Sequence, residues 1–144
     1  DYYRELVNGM NLQDIVQILP PLSYREALQD AAHSDGLLLF QAAICDQQVP
    51  AKAYEYLRLK RPILALVGPE GDTARLLRET GGASIVDLSD AEAICRMLPS
   101  FLEALRSGQH PMPDHEKVAR YSRRLLVAEL ARCLEEAAEE SNSN

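Results

Sequence analysis

Four short apolar runs recur along the chain, "DIVQILPPL", "GLLLF", "PILALV" and "ASIVDL", and helix-like sequence fills the intervals between them. The last three are almost continuously apolar rather than alternating, the pattern of strands covered on both faces. Strands of that kind joined by helices pair in parallel, through right-handed crossovers. The expectation is an α/β fold: a three-layer αβα Rossmann-like domain over residues 1–144, with a mostly parallel sheet of about four strands and a long C-terminal helix. No internal repeat interrupts this rhythm.

The punctuation between the runs places the helices. "YYRELVNGM" reads as a helix that stops at Asn8-Gly9, a common stop signal. Ser23 followed by Glu26 makes a capping box for "YREALQDAAHS". Pro50 suits the first turn of "PAKAYEYLRLK". Asp72 can cap "TARLLRET", which ends at Gly81-Gly82, and Ser89 or Asp90 can start "AEAICRMLPSFLEALRSG", which Pro99 should kink or split. "HEKVARYSRRLLVAELARCLEEAAEE" reads as one helix, with Val118, Tyr121, Leu125 and Ala128 on one buried stripe and residues 141–144 as a frayed tail.

Composition narrows the function. With 47% apolar residues the 144-residue chain can bury a core, and a net charge of −7 lacks the basic footprint of a nucleic-acid binder. It leaves room for an anionic small ligand. The cysteines, Cys45, Cys95 and Cys133, are odd in number and form no CxxC pair, which argues against a disulfide framework or a zinc site. They are expected to be buried or half-buried reduced thiols in a cytoplasmic protein. His33, His110 and His115 have no ligand spacing, so no metal is expected; His33 falls at a helix end, where an imidazolium suits the dipole. No apolar run approaches the roughly 18 residues that cross a bilayer. The first residue is Asp1 rather than Met, inside helix-like sequence, which suggests a piece of a longer or processed protein.

In an open parallel sheet, ligands bind at the carboxyl ends of the strands. Three loops leave such ends: "PPLS", "QAAICDQQVP" and "GPEGD". The last two run into helix N-termini, whose unpaired N–H groups favour phosphate. Lys52 and Glu55 are three apart and share a helix face. Lys52 can meet a phosphate and Glu55 can accept hydrogen bonds from a ribose; the plainer reading is an exposed ion pair worth under about 1 kcal/mol. Gly68 and Gly71 let a backbone approach a ligand closely, but any tight strand-to-helix turn uses them too. Neither GxGxxG nor GxxxxGK[ST] is present.

Taken together, "VPAKAYEYLRLKRPILALVGPEGDTARLLRETGGASIVDLSDAEAI" and the upstream "LPPLSYREALQDAAHSDGLLLF" resemble the C-terminal, donor-binding domain of the group 1 retaining glycosyltransferases with the GT-B fold. The resemblance covers roughly Ile15 to Leu105 and rests on the order and spacing of the pieces. It implies hexosyl transfer from a nucleotide-diphosphate sugar, with no cofactor and no metal. It makes Glu55 the ribose ligand and brings Gln48, Val49 and Lys52 to the diphosphate, with Gly68 and Gly71 in the substrate-binding loop. It gives Gln47 the catalytic position, where the family carries an acid. A Gln can still hydrogen-bond sugar hydroxyls, and Asp46 lies beside it.

The same resemblance implies that the family's diphosphate-binding Arg and Lys, and its N-terminal acceptor-binding domain, lie outside this sequence. The domain alone is then not expected to catalyse transfer. It further implies a protein that is cytoplasmic or membrane-associated, with the nucleotide sugar as its small-molecule partner and no nucleic acid. Self-association through the C-terminal helix is a further expectation, since in the family that helix packs on the absent domain. Arg120, Arg123 and Arg124 read as a solvated face, with membrane headgroups as a weaker option. The replacement of the acid at position 47 keeps open a second reading, a non-catalytic glycosyltransferase-like binding or regulatory module. A receiver-domain reading fails, because no acidic pair follows the first strand.

Overall fold

The computed structural model describes residues 2–142, with side chains through Glu139. The chain forms two compact units, one up to Asp30 and one from Ala31 onward.

In the first unit, helix α1 spans Tyr2–Gly9. It ends at the expected Asn8-Gly9, but Gly9 is the last helical residue and the left-handed turn, φ 54°, is taken by Asn11. The run expected as the first strand does not become one. Val16 N–H bonds back to Leu12 carbonyl at 2.8 Å, which curls residues 12–16 into a turn. Beyond it, Pro20 and Pro21 supply no N–H for a ladder. Ile15 and Leu19 are 79% and 59% exposed, so the apolar composition of this segment is not matched by burial. Helix α2 (Tyr24–His33) starts on the expected capping box. Glu26 N–H reaches Ser23 Oγ at 3.4 Å, and Ser23 N–H donates to Glu26 Oε2 at 3.0 Å. A hydrogen bond from the Ser23 side chain, then the one from its backbone N–H, pull the Glu26 carboxyl below its ordinary value.

The second unit holds the sheet. Strands β1 (Leu37–Phe40), β2 (Ile63–Leu66) and β3 (Ala83–Val86) are parallel and lie in the order β1-β2-β3. Leu37 is level with Ile63 and Ile63 with Ala83. The fold is α/β as expected, but the described residues provide three strands, not four. The four-stranded, three-layer Rossmann-like sandwich is therefore not reached, because the turn and the prolines of residues 12–21 keep that run out of a ladder.

Strand periodicity sorts the core into two clusters. Leu37, Leu39, Ile63 and Ala65 pack with Ala53 and Leu57 of helix α3 (Ala51–Leu59) and Ala74, Leu76 and Leu77 of helix α4 (Asp72–Thr80). Leu64, Leu66 and Val86, from the alternate positions, pack with Phe101 of helix α5 (Ala91–Arg106). The middle strand β2 is consequently buried at every position. Strand β1 is not: Leu38 and Phe40 remain 45% and 60% exposed.

Helix ends follow their local chemistry. Lys60 closes α3 in the left-handed region, and Gly81 and Gly82 follow α4 with positive φ. At Gly82 a side chain would also collide with Pro113, so two constraints select glycine there. Asp90 caps α5 by accepting from Ala93 N–H at 2.8 Å. Pro99 leaves α5 unsplit; its ring lies on the exposed side.

The long C-terminal helix is two. Helix α6 (His115–Arg120) ends at Tyr121, and helix α7 (Arg123–Asn142) begins after Ser122, whose Oγ accepts from Leu125 N–H at 3.4 Å. The expected single stripe divides at this break. Val118 and Tyr121 are half-buried on the α3–α4 cluster, whereas Leu125 is 50% exposed and Ala128 is exposed. Of the expected frayed tail, residues 141 and 142 continue α7, and 143 and 144 lie outside the described residues.

Candidate functional site at the carboxyl edge of the sheet

The loops that leave β1 and β2 meet at one edge, and a buried glutamine organises the first of them. Gln41 is 7% exposed. Its backbone N–H extends the ladder to Leu66 carbonyl at 3.0 Å, and its side-chain amide donates to the carbonyls of Cys45 and Gln48, both at 2.7 Å. A short 3₁₀ turn at Ala43–Cys45 supplies the curvature. The backbone from 42 to 48 thus wraps around one buried side chain, whose amide N–H groups are paired as burial requires.

The second loop locks onto the first. Asp72 N–H donates to Asp46 carbonyl at 2.7 Å, and the buried Thr73 hydroxyl donates to Gln48 carbonyl at 3.2 Å. Gly68 and Gly71 are fitted to Asp46: a methyl group on Gly68 would overlap the Asp46 carboxylate, and one on Gly71 would come within 3.1 Å of Asp46 carbonyl oxygen. Asp46 Oδ1 is buried and has no hydrogen-bond partner. The glycines make room for a side chain of the protein itself, which spacing alone did not reveal.

The remaining residues singled out in the sequence distribute as follows. Gln47 is exposed beside Asp46. The side chain of Gln48 is also exposed, and its carbonyl is the acceptor shared by Gln41 and Thr73. Val49 packs on the core. Lys52 and Glu55, on the first two turns of α3, form an ion pair at 2.9 Å, with their side chains 51% and 22% exposed. The structure therefore brings Asp46, Gly68 and Gly71 together, and separately Lys52 and Glu55.

Two helix N-termini open on this edge. Pro50 and Gly71, the N-cap residues of α3 and α4, supply no side-chain acceptor to the first turn. Helix α5, which leaves β3, differs: Asp90 provides its cap. In the same loop Asp87 accepts from Ser89 N–H at 2.8 Å and from Ser89 Oγ at 2.7 Å. These bonds, the backbone one first, hold the Asp87 carboxyl below its ordinary value.

The basic turn "RLKRP" belongs to the opposite edge, ahead of β2. There Arg61 Nε donates to Ala32 carbonyl at 2.9 Å and caps the end of α2, so this guanidinium is committed to structure. Cysteines depart from expectation in two of three cases. Cys45 is half-buried, but Cys95 and Cys133 are exposed: Cys95 falls on the outer side of α5, and Cys133 lies on α7, where every side chain from Arg123 to Glu139 is exposed. His33 ends α2 as expected. His110, which spacing left without a role, is buried against Phe101, with Nε2 3.0 Å from Ser84 Oγ and Nδ1 2.8 Å from Pro111 carbonyl. It pins the connector between α5 and α6 to β3. Among the described residues, no three His, Cys, Asp or Glu side chains are placed to hold a metal ion, and no helix is long and apolar enough to cross a membrane.

Comparison with known proteins adds no relative: the chain matches no family model, no curated protein and no solved structure.

Proposed function

We propose that this domain binds the nucleotide-diphosphate part of a nucleotide sugar and serves as the donor-binding half of a retaining glycosyltransferase. The observation that carries the proposal is the pair of helix N-termini without side-chain caps, α3 and α4, at the carboxyl edge of a parallel sheet with Lys52 on the first turn of one of them. Helix dipoles, the remaining first-turn N–H groups and an ammonium favour a diphosphate together, although Asp72 N–H is already bonded to Asp46 carbonyl and the Asp72 carboxylate lies on the first turn of α4. Glu55, half-buried one turn further along, is the acceptor for ribose hydroxyls. The residue pattern from Ile15 to Leu105 supports the same reading through its resemblance to the group 1 glycosyltransferases with their Rossmann-like donor domain. On this reading, transfer itself requires an acceptor-binding domain beyond these residues, charge on the departing diphosphate is met by the two helix ends, and the protein works in the cytoplasm or at a membrane surface.

A second reading has its own support. Gln47 stands where the resemblance expects an acid, and the neighbouring carboxylate of Asp46 is turned into the Gly68–Gly71 loop. A domain that binds a nucleotide sugar without transferring the sugar fits that arrangement.

Calorimetric titration with UDP, GDP and ADP tests binding. One of the three is expected to bind, and Glu55→Ala should weaken it by about tenfold or more, the worth of a charged hydrogen-bond acceptor. Binding unaltered in Glu55→Ala would remove the ribose assignment, and no binding of any of the three would remove the donor-site reading. Turnover of a nucleotide sugar by protein carrying the acceptor domain separates the two readings.

A further inference from the structure

Helix α7 carries an apolar face that the second unit does not cover. All its residues from Arg123 to Glu139 are exposed. Leu125, Leu126, Val127, Leu130 and Leu134 are 46–64% exposed, although leucine and valine ordinarily sit inside. Leu126, Leu130 and Leu134 follow one another at four-residue intervals and form a single stripe. With 20 residues the helix is about 30 Å long, enough to present that stripe to a partner helix.

Charge along α7 is uneven. Arg123 and Arg124 occupy its first turn and Glu135, Glu136 and Glu139 lie toward the other end, with Glu129 and Arg132 between them and Arg132 ion-paired to Glu136 at 2.6 Å. A second α7 laid parallel would set arginine beside arginine and glutamate beside glutamate. Laid antiparallel, it sets each arginine end beside a glutamate end, and like-charge repulsion becomes attraction. The apolar stripe has the same symmetry. With Leu130 placed on the two-fold axis, Leu126 meets Leu134, and Val127 lies level with Cys133 and Arg124 with Glu136. An isologous interface requires this self-complementarity.

We propose that α7 is a homodimerisation helix, and that its occupant is the α7 of a second copy of this chain, packed antiparallel about Leu130. A pair of helices of this length gives an interface at the small end of stable ones, so the dimer forms reversibly with concentration. A second copy then takes the face that, under the resemblance behind the nucleotide-sugar reading, would pack on an acceptor-binding domain.

Sedimentation equilibrium tests it directly. The chain should move with concentration from 16.0 kDa toward twice that mass. Leu130→Glu should stay monomeric, with its circular dichroism otherwise preserved because the site is exposed. The double variant Arg123→Glu, Arg124→Glu should also stay monomeric alone and should recover a dimer when mixed with Glu135→Lys, Glu136→Lys. Orientation is read by oxidative cross-linking. Leu130→Cys in a Cys133→Ser background should cross-link, and Cys133 of the natural chain should not, since it lies opposite Val127. A chain that stays monomeric at every concentration, a dimer that survives Leu130→Glu, or efficient Cys133 cross-linking would each overturn the proposal. The first two would assign the face to the acceptor-binding domain, to a different protein or to none, and the third to a parallel pair.

Discussion

Gly68 illustrates how little a residue type says before its neighbour is known. Its φ lies outside the left-handed region, so alanine is not barred by the backbone; the obstacle is the Asp46 carboxylate. Gly68→Ala should therefore cost about 1–3 kcal/mol, the usual penalty of overpacking. Most of that should return in Gly68→Ala, Asp46→Ala, measured as a double-mutant cycle by urea unfolding. Additive losses in the cycle would mean that the two residues do not meet. Gln41→Leu makes a second test at this scale. It keeps the volume and removes the amide that holds the carbonyls of Cys45 and Gln48. The expected loss is about 1–3 kcal/mol, because the two acceptors lose their partner inside a folded loop. Neither role was legible in the sequence. Gln41 reads as an ordinary polar residue after a strand, and its two acceptors are set by how the following residues double back.

Element ends were the most legible features. Ser23 with Glu26, Asp90, and the pair Gly81-Gly82 all act where their chemistry places them. Such signals act within about one turn, so local sequence contains both donor and acceptor. The exceptions involve longer reach. The break between α6 and α7 coincides with Tyr121 turning onto the core, where its hydroxyl donates to Glu79 at 2.8 Å and its ring centroid lies 5.9 Å from that of Tyr54. Burial first, then the bond to Glu79 and its negative charge, raise the Tyr121 phenol to about 12 from an ordinary 10.0. The raised value makes the neutral phenol the form that the fold retains. Its stabilisation is complete below pH 10, where both states hold the proton, and is lost as pH rises from about 10 to about 12. Thermal unfolding of Tyr121→Phe should therefore be less sensitive to alkali over that interval than the natural chain; equal sensitivity would show that another group governs it. At the other end of α6, Asp114 accepts from Glu116 N–H at 2.9 Å and Lys117 N–H at 3.2 Å. The Lys117 bond leads in holding its carboxyl below 3.8. That contribution is present above about pH 3.8 and disappears as acid protonates the folded carboxylate.

For the molecule as a whole, burial is concentrated in β2 and the helices against it, and α7 contributes almost none of it. Leu57, 1% exposed at the centre of the larger cluster, should cost about 2–5 kcal/mol when changed to alanine. Leu130→Ala should change the stability of the monomer by less than about 0.5 kcal/mol, since its side chain is 59% exposed. Urea titrations at a protein concentration low enough to prevent association compare the two. A large loss in Leu130→Ala under those conditions would contradict the exposed position of α7.

The sequence by itself determined most of the helix ends, the three strands and their parallel α/β class, because caps, glycines and unbroken apolar runs act through neighbours in the chain; it missed the break between α6 and α7 and placed the cap of α4 on Asp72 where the N-cap is Gly71. It also singled out Lys52 and Glu55, whose spacing on one helix face makes their meeting inevitable once α3 forms. Tertiary structure alone decided the rest. "DIVQILPPL" has the composition of a strand, but a strand exists only where a partner ladder accepts it, and residues 12–16 close on themselves instead. Asp46 fills the space beside Gly68, Arg61 reaches Ala32, and His110 reaches Ser84, each across an interval that no local pattern spans. The apolar residues of α7 look like core in the sequence; only the fold shows that they lie outside it.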